Sequence, residues 1–162
     1  MINGKSILAI IPARGGSKRL PGKHTLIVKG IPLIAWTIEA AKKSKYLDRI
    51  ILSSDCPEII SVANSYDCEA PFVRPAHLAT DEATSMNVVL HALSVIKGYD
   101  YVILLQPTSP LRNTCDIDTC IQICVTKDTK SCVSLTPAEQ NPYWMFHMTE
   151  LGAIEPIVKQ KS

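Results

Sequence analysis

The apolar run Ser6–Ile11 stops at Pro12 and gives way to Ala13-Arg14-Gly15-Gly16-Ser17-Lys18-Arg19-Leu20-Pro21-Gly22-Lys23. A run of that length reads as a buried β-strand; it is too short for a bilayer span or for the apolar core of a signal peptide. Between Ile10 and Lys23 the chain carries three glycines, two prolines and four cations. Glycine lets backbone N–H groups approach a ligand closely, and the cations add reachable positive charge. A strand feeding such a loop outlines a site for a polyphosphate.

The rest of the chain repeats the strand-then-helix pattern. Pro32 to Lys43 predicts a helix with Leu33, Ile34, Ile38 and Ala41 on one side. Arg49–Ser53 predicts a second strand, and Asp55 the N-cap of a helix reaching about Ser65. Glu69–Val73 is expected as a short third strand and Ser85–Lys97 as a helix. Tyr101–Leu105 is expected as the fourth strand, a helix opens at Thr114 or Asp116 and runs through Val125, and Ser131–Leu135 is expected as the fifth strand. Such alternation implies an α/β fold with a mostly parallel sheet and helices on both faces. Ligands bind beyond the carboxyl ends of such strands, which selects the loops Pro12–His24, Arg74–Ser85 and Gln106–Asn113.

The 162 residues suit one α/β domain, expected over 1–136, followed by an extended arm over 137–162. The arm is broken by Pro142 and carries Tyr143, Trp144 and Phe146, with a turn at Glu150-Leu151-Gly152. An aromatic arm of this kind either packs on a partner subunit or covers its own domain as a local hairpin. A formal charge of +2 with no long basic run argues against nucleic acid, and no run is long enough to span a bilayer. The six cysteines show no C-x-x-C pair and no metal spacing with the histidines, so they read as buried free thiols in a cytoplasmic protein.

The loop is neither a G-x-x-x-x-G-K-[ST] motif nor a G-x-G-x-x-G fingerprint. The full string Pro12–Lys23 resembles the N-terminal signature of the acylneuraminate cytidylyltransferases. Arg74-Pro75-Ala76-His77-Leu78-Ala79-Thr80-Asp81-Glu82-Ala83-Thr84-Ser85 resembles that family's second loop, and Leu104-Leu105-Gln106-Pro107-Thr108-Ser109-Pro110-Leu111-Arg112 its strand-four motif. The resemblance runs from about Ser6 to at least Leu135. It implies a three-layer, Rossmann-like nucleotidyltransferase fold, with transfer of CMP from CTP to the anomeric hydroxyl of a nine-carbon keto-acid sugar and release of pyrophosphate.

By the same resemblance Arg14 and Lys23 are the catalytic cations. The nucleotide-binding set is Ala13, Arg14, Gly15, Gly16, Ser17, Lys18, Lys23, His24, Arg74, Ala83 and Ser85. His24 stands where the family usually has an asparagine. Ser85 has a second reading as a helix N-cap and Arg74 as a surface ion pair. Gln106 and Arg112 are the sugar-binding candidates, Arg112 alternatively meeting a neighbouring acid. The resemblance also implies Mg²⁺ and a homodimer in the full-length form. The family's metal-holding Asp-x-Asp pair is expected beyond the C-terminus of this chain; Asp81 with Glu82 and Asp116 with Asp118 are weak substitutes. Two alternatives stay open: a 3-deoxy-manno-octulosonate cytidylyltransferase, and a non-catalytic nucleotide-binding fragment.

Overall fold

In the computed structural model, which describes residues 1–137 and 139–158, the run after Ser6 becomes strand β1, Ile7–Pro12. It is flanked on both edges by parallel strands, β4 (Arg49–Ser53) on one side and β5 (Tyr101–Leu104) on the other. Two short strands, β2 (Ile27–Val28) and β3 (Ile31–Pro32), make a small antiparallel pair leading into α1 (Leu33–Lys42).

The central strand is apolar at successive positions because both of its faces are covered. Ile7, Ala9 and Ile11 point to a core shared with Ile34 and Ile38 of α1, Ile59 of α2 (Pro57–Ser65) and Ile117 of α4 (Thr114–Thr126). Leu8 and Ile10 point the other way, to Ala92 of α3 (Ser85–Val95) and Ile96. Sandwiching one sheet between two helical layers buries these side chains, at about 1.5–3 kcal/mol for each leucine and isoleucine. The expected three-layer α/β arrangement is what the chain adopts.

Three expectations for the elements change. Glu69–Val73 does not form a strand; it touches β4 through single parallel bridges at Ile51–Glu69 and Ser54–Val73. Arg49 holds it at one end, donating from Nε and Nη2 to both Glu69 carboxylate oxygens at 2.8 and 2.5 Å. Ser131–Leu135 is not a strand either: Val133 and Leu135 are 73% and 89% exposed, so nothing buries the apolar side that a strand would present. The sheet therefore ends at β5, beside a groove of about 650 Å³ between β5 and α4. Finally, the thiols are all free, but only Cys68 is buried; Cys115 is exposed and the other four are half-buried.

The chain divides into two compact units, Met1–Cys132 and a second beginning at Val133. The second holds a hairpin of β6 (Phe146–Met148) and β7 (Ile154–Pro156), antiparallel, turned at Leu151-Gly152 with Gly152 at φ +79°. Trp144, Met148, Leu151 and Ile154 are exposed on it.

Candidate functional site

The carboxyl ends of β1, β4 and β5 lie side by side, and the chain leaving β1 and β5 walls a cleft of about 230 Å³ with the second loop. Of the residues expected there, Arg14, Ser17, Lys23 and His24 come from the first loop, Arg74, Ala83 and Ser85 from the second, and Gln106 from the third. Gln106 is held out toward solvent between buried Leu105 and Pro107. Thr80 and Thr108 line the same cleft, as does Asp81, which the sequence offered only as a weak metal substitute.

The first loop is less of a backbone cradle than expected. Ala13 belongs to the sheet: its N–H donates to the Ser53 carbonyl at 3.0 Å and its own carbonyl accepts from Arg74. The Gly15 N–H donates to Asp55 Oδ1 at 3.1 Å, and the Ser17 N–H donates to the Gly15 carbonyl at 2.9 Å. The amides of Arg14 and Gly16 are left without an acceptor among the described residues. Gly15 packs closely on the start of α2: a Cβ there would lie 3.0 Å from Cys56 Cβ, so a larger residue would need Cys56 to give way. Asp55 consequently does not cap α2; Cys56 occupies that position without a side-chain bond.

Two of the first loop's four cations are held by one carboxylate. Arg14 donates from Nη1 to the Thr80 carbonyl at 2.6 Å and from Nη2 to Asp81 Oδ1 at 2.5 Å. Lys18, itself exposed and outside the cleft wall, places Nζ 2.6 Å from Asp81 Oδ2. Lys18 and Arg14 together hold the Asp81 carboxyl below its usual range. Asp81 thus occupies donors that an incoming phosphate would use.

Arg74 is neither a surface ion pair nor an open ligand contact. It is 4% exposed and donates to Ser53 Oγ, the Ser53 carbonyl, the Ala13 carbonyl and the Leu78 carbonyl. Arginine has five N–H donors, so little is left for a ligand. Arg112, by contrast, lies outside the cleft wall, donating from Nη2 to the Gln106 carbonyl at 3.0 Å and to Thr37 Oγ1 at 3.4 Å. It fixes the loop that presents Gln106.

Ser85 does not cap α3. Thr84 does, its side chain accepting from the Asn87 N–H at 3.2 Å. Ser85 opens the helix in the cleft wall, so the first turn of α3 brings its unpaired N–H groups and the positive end of its dipole to the site. His24 is fixed from the other side: its carbonyl accepts from the Ile34 N–H in the first turn of α1 at 3.0 Å. The residue is 5% exposed, and burial with Lys23, Arg74 and Arg14 nearby pushes the ring's pKa down to about 4.

No group of three His, Cys, Asp or Glu side chains among the described residues is placed to hold a metal ion. The weak substitutes are committed elsewhere: Asp81 to Arg14 and Lys18, Asp116 to the capping box with Asn113, and Asp118 to Ser44 Oγ. Among the described residues, Asp81, Asp116 and Asp118 are therefore not free to hold the expected Mg²⁺.

Relatives and solved structures place this architecture. The chain is 42% identical over 142 residues to a CMP-N,N'-diacetyllegionaminic acid synthase of Legionella pneumophila, covering 85% of this chain and 61% of that protein. It is 47% identical over 110 residues to a pseudaminic acid cytidylyltransferase of Campylobacter jejuni, covering 65% of this chain and 47% of that one. An N-acylneuraminate cytidylyltransferase of Escherichia coli matches at 39% over 136 residues, 84% of this chain and 32% of its own length. The chain therefore spans under two thirds of the length of these relatives. Among solved structures, a CMP:2-keto-3-deoxy-manno-octonic acid synthetase complexed with CTP superposes with a TM-score of 0.68 at 24% identity, over 76% of this chain and 49% of that one. A 4-diphosphocytidyl-2C-methyl-D-erythritol synthase of Anaerococcus prevotii gives 0.69 at 17% identity, over 97% and 66%; these two establish the fold. The cytidylyltransferase family model matches residues 8–158, and the chain belongs to the cytidylyltransferase family.

Proposed function

We propose that this chain forms the CTP-binding part of an enzyme that transfers CMP to a nonulosonic acid such as sialic, legionaminic or pseudaminic acid. The observation that carries the reading is the convergence of Arg14, Lys23, the N-terminus of α3 and Gln106 on one cleft. A triphosphate needs cations and N–H donors fixed in place, because phosphoryl transfer is mostly positioning and charge stabilisation. In the reaction the anomeric hydroxyl oxygen bonds to the α-phosphorus of CTP, the bond to the β-phosphate oxygen breaks, pyrophosphate leaves and the hydroxyl proton passes to solvent. Arg14 and Lys23 hold the triphosphate; Ala83 and Ser85 flank the base; Gln106 meets the sugar.

The reading includes Mg²⁺ accompanying the nucleotide, with protein ligands other than the residues described here. It also includes a homodimer formed through the aromatic hairpin, whose Trp144, Met148 and Leu151 are exposed, and a cytoplasmic location. No helix among the described residues is long and apolar enough to cross a membrane.

The second reading is a nucleotide-binding unit without turnover, favoured by the lack of a metal-holding cluster among the described residues. CTP titration combined with pyrophosphate release on legionaminic, pseudaminic and N-acetylneuraminic acids, and on the eight-carbon 3-deoxy-manno-octulosonic acid, separates the cases. Release with a nine-carbon acid supports the proposal. Release with the eight-carbon acid alone, or CTP binding without release, overturns it in favour of an alternative.

A further inference from the structure

We propose that His24 takes up a proton from solvent when a polyphosphate enters the cleft, so that ligand binding is coupled to charging of this ring. The inference rests on the reading of the cleft as a triphosphate site. His24 lines that cleft, its ring Nδ1 is sealed from solvent without a hydrogen-bond partner, and no other described side chain or backbone group bonds the ring. A buried nitrogen with no partner carries an unmet hydrogen bond.

The charges facing the ring are almost all positive. Lys23 precedes it, Arg14 comes from the loop after β1, and Arg74 comes from the segment that bridges to Ser54. The carboxylate in the cleft wall, Asp81, is taken by Arg14 and Lys18, and Asp55 accepts from the Gly15 N–H. From α3 the wall receives Ser85 and Val88, and from the β5 loop Gln106 and Thr108, none of them charged. α1 contributes the Ile34 N–H to the His24 carbonyl, the positive end of a helix. This surrounding favours the neutral imidazole.

A bound polyphosphate reverses the sign of the local field. Its negative charges offset Arg14, Lys23 and Arg74 and favour the imidazolium, moving the ring's titration up toward the neutral range. The step is simple to balance: one proton from solvent adds to the free lone pair of the imidazole, and no bond breaks. The charged ring then presents both ring nitrogens as donors. Asparagine, which has no titrating group, would bind without this uptake.

The test is calorimetric binding of inorganic tripolyphosphate at pH 5.5 and 7.5, in buffers of low and high ionisation enthalpy, for the wild-type chain and His24→Asn. The difference between the two proteins cancels the ligand's own protonation. The wild type is expected to take up roughly half to one proton more than the variant at pH 5.5, and its affinity relative to the variant to rise by up to about tenfold per pH unit of acidification. Equal uptake overturns the inference. Where His24→Asn does not fold, the imidazole signals of the wild type are followed by NMR; a titration midpoint that stays near 4 with tripolyphosphate bound overturns it. Failure of tripolyphosphate to bind at all overturns both the inference and the triphosphate reading. Binding with uptake but no pyrophosphate release leaves the inference standing and defeats the catalytic reading alone.

Discussion

Arg74 donates from Nε to Ser53 Oγ at 3.1 Å and from Nη2 to the Ser53 carbonyl, tying the bridging segment to the carboxyl end of β4. Because Nη2 also reaches the Ala13 carbonyl at 3.2 Å, the same guanidinium joins the ends of β1 and β4 beneath the cleft. Arg74→Ala takes the guanidinium from the buried Ala13 carbonyl and Ser53 hydroxyl, leaves the Ser53 carbonyl with the Ala13 N–H alone and opens a void, a cost of about 3 kcal/mol. The melting temperature is expected to fall by roughly 6–12 °C for a chain of this size. A residue serving only as a ligand contact would leave the melt unchanged and alter affinity alone, so calorimetry of the unliganded variant decides between the roles.

The contact of Gly15 with Cys56 gives a sharper test of the first loop. Adding a methyl at Gly15 drives it to 3.0 Å from Cys56 Cβ, while at Gly16 a new Cβ meets nothing within 4 Å. Gly15→Ala is expected to cost about 1–3 kcal/mol and to displace the loop that carries Arg14. Cys56→Gly in the Gly15→Ala background removes the obstructing atoms and should restore most of the loss, whereas Gly16→Ala should behave as wild type in urea unfolding. A Gly15→Ala protein as stable as Gly16→Ala would show that the close approach does not constrain the loop.

Much of this architecture was legible in the order of apolar and polar runs. The Ser6–Ile11 run is continuous because both faces of β1 are buried, and Arg49–Ser53 keeps its expected bounds because it has β1 to pair with. Ser131–Leu135 has the same β-forming character but no neighbour, and strand formation depends on the neighbour. Side-chain roles were harder to read because short polar residues next to each other compete for the same job. Asp55 and Cys56 both precede α2, and the long-range Gly15 amide decides which way Asp55 turns. Thr84 rather than Ser85 caps α3, which frees Ser85 for the cleft. Nothing local in the sequence marks Asp81 as the partner of Arg14, 67 residues away; only the adjacency of the two loops creates it.

That partnership predicts a variant with a gain of function. Asp81 puts a carboxylate on Arg14 and Lys18 at 2.5 and 2.6 Å, so a polyphosphate must displace it to reach both cations. The pair is partly exposed, and exposed ion pairs are weak. Asp81→Asn keeps the shape, removes the competing charge and is expected to tighten tripolyphosphate binding by up to about fivefold, with no loss of thermal stability. Weaker binding in Asp81→Asn would mean instead that the carboxylate orients the cations for the ligand. Titration at two ionic strengths checks the electrostatic origin, since the gain should shrink as salt screens it.

His24 also predicts how the unliganded chain responds to acid. Its folded pKa lies at about 4, below the ordinary value of 6.5, because burial and the neighbouring cations disfavour the charged ring. Between those two values the unfolded chain binds more protons than the folded one, so stability rises with pH across that window. The contribution is fully present above about pH 6.5, is lost progressively as pH falls toward 4, and levels off below, where both states are charged. At pH 4.5 the expected loss from this residue is on the order of 2–3 kcal/mol relative to pH 7. His24→Asn lacks the linkage while leaving every other titrating group in place. Urea unfolding of the two proteins at pH 7 and pH 4.5 should therefore show curves that diverge in acid, the wild type losing more; parallel pH dependence would mean that the folded ring charges as readily as the unfolded one, despite its burial and the three cations beside it.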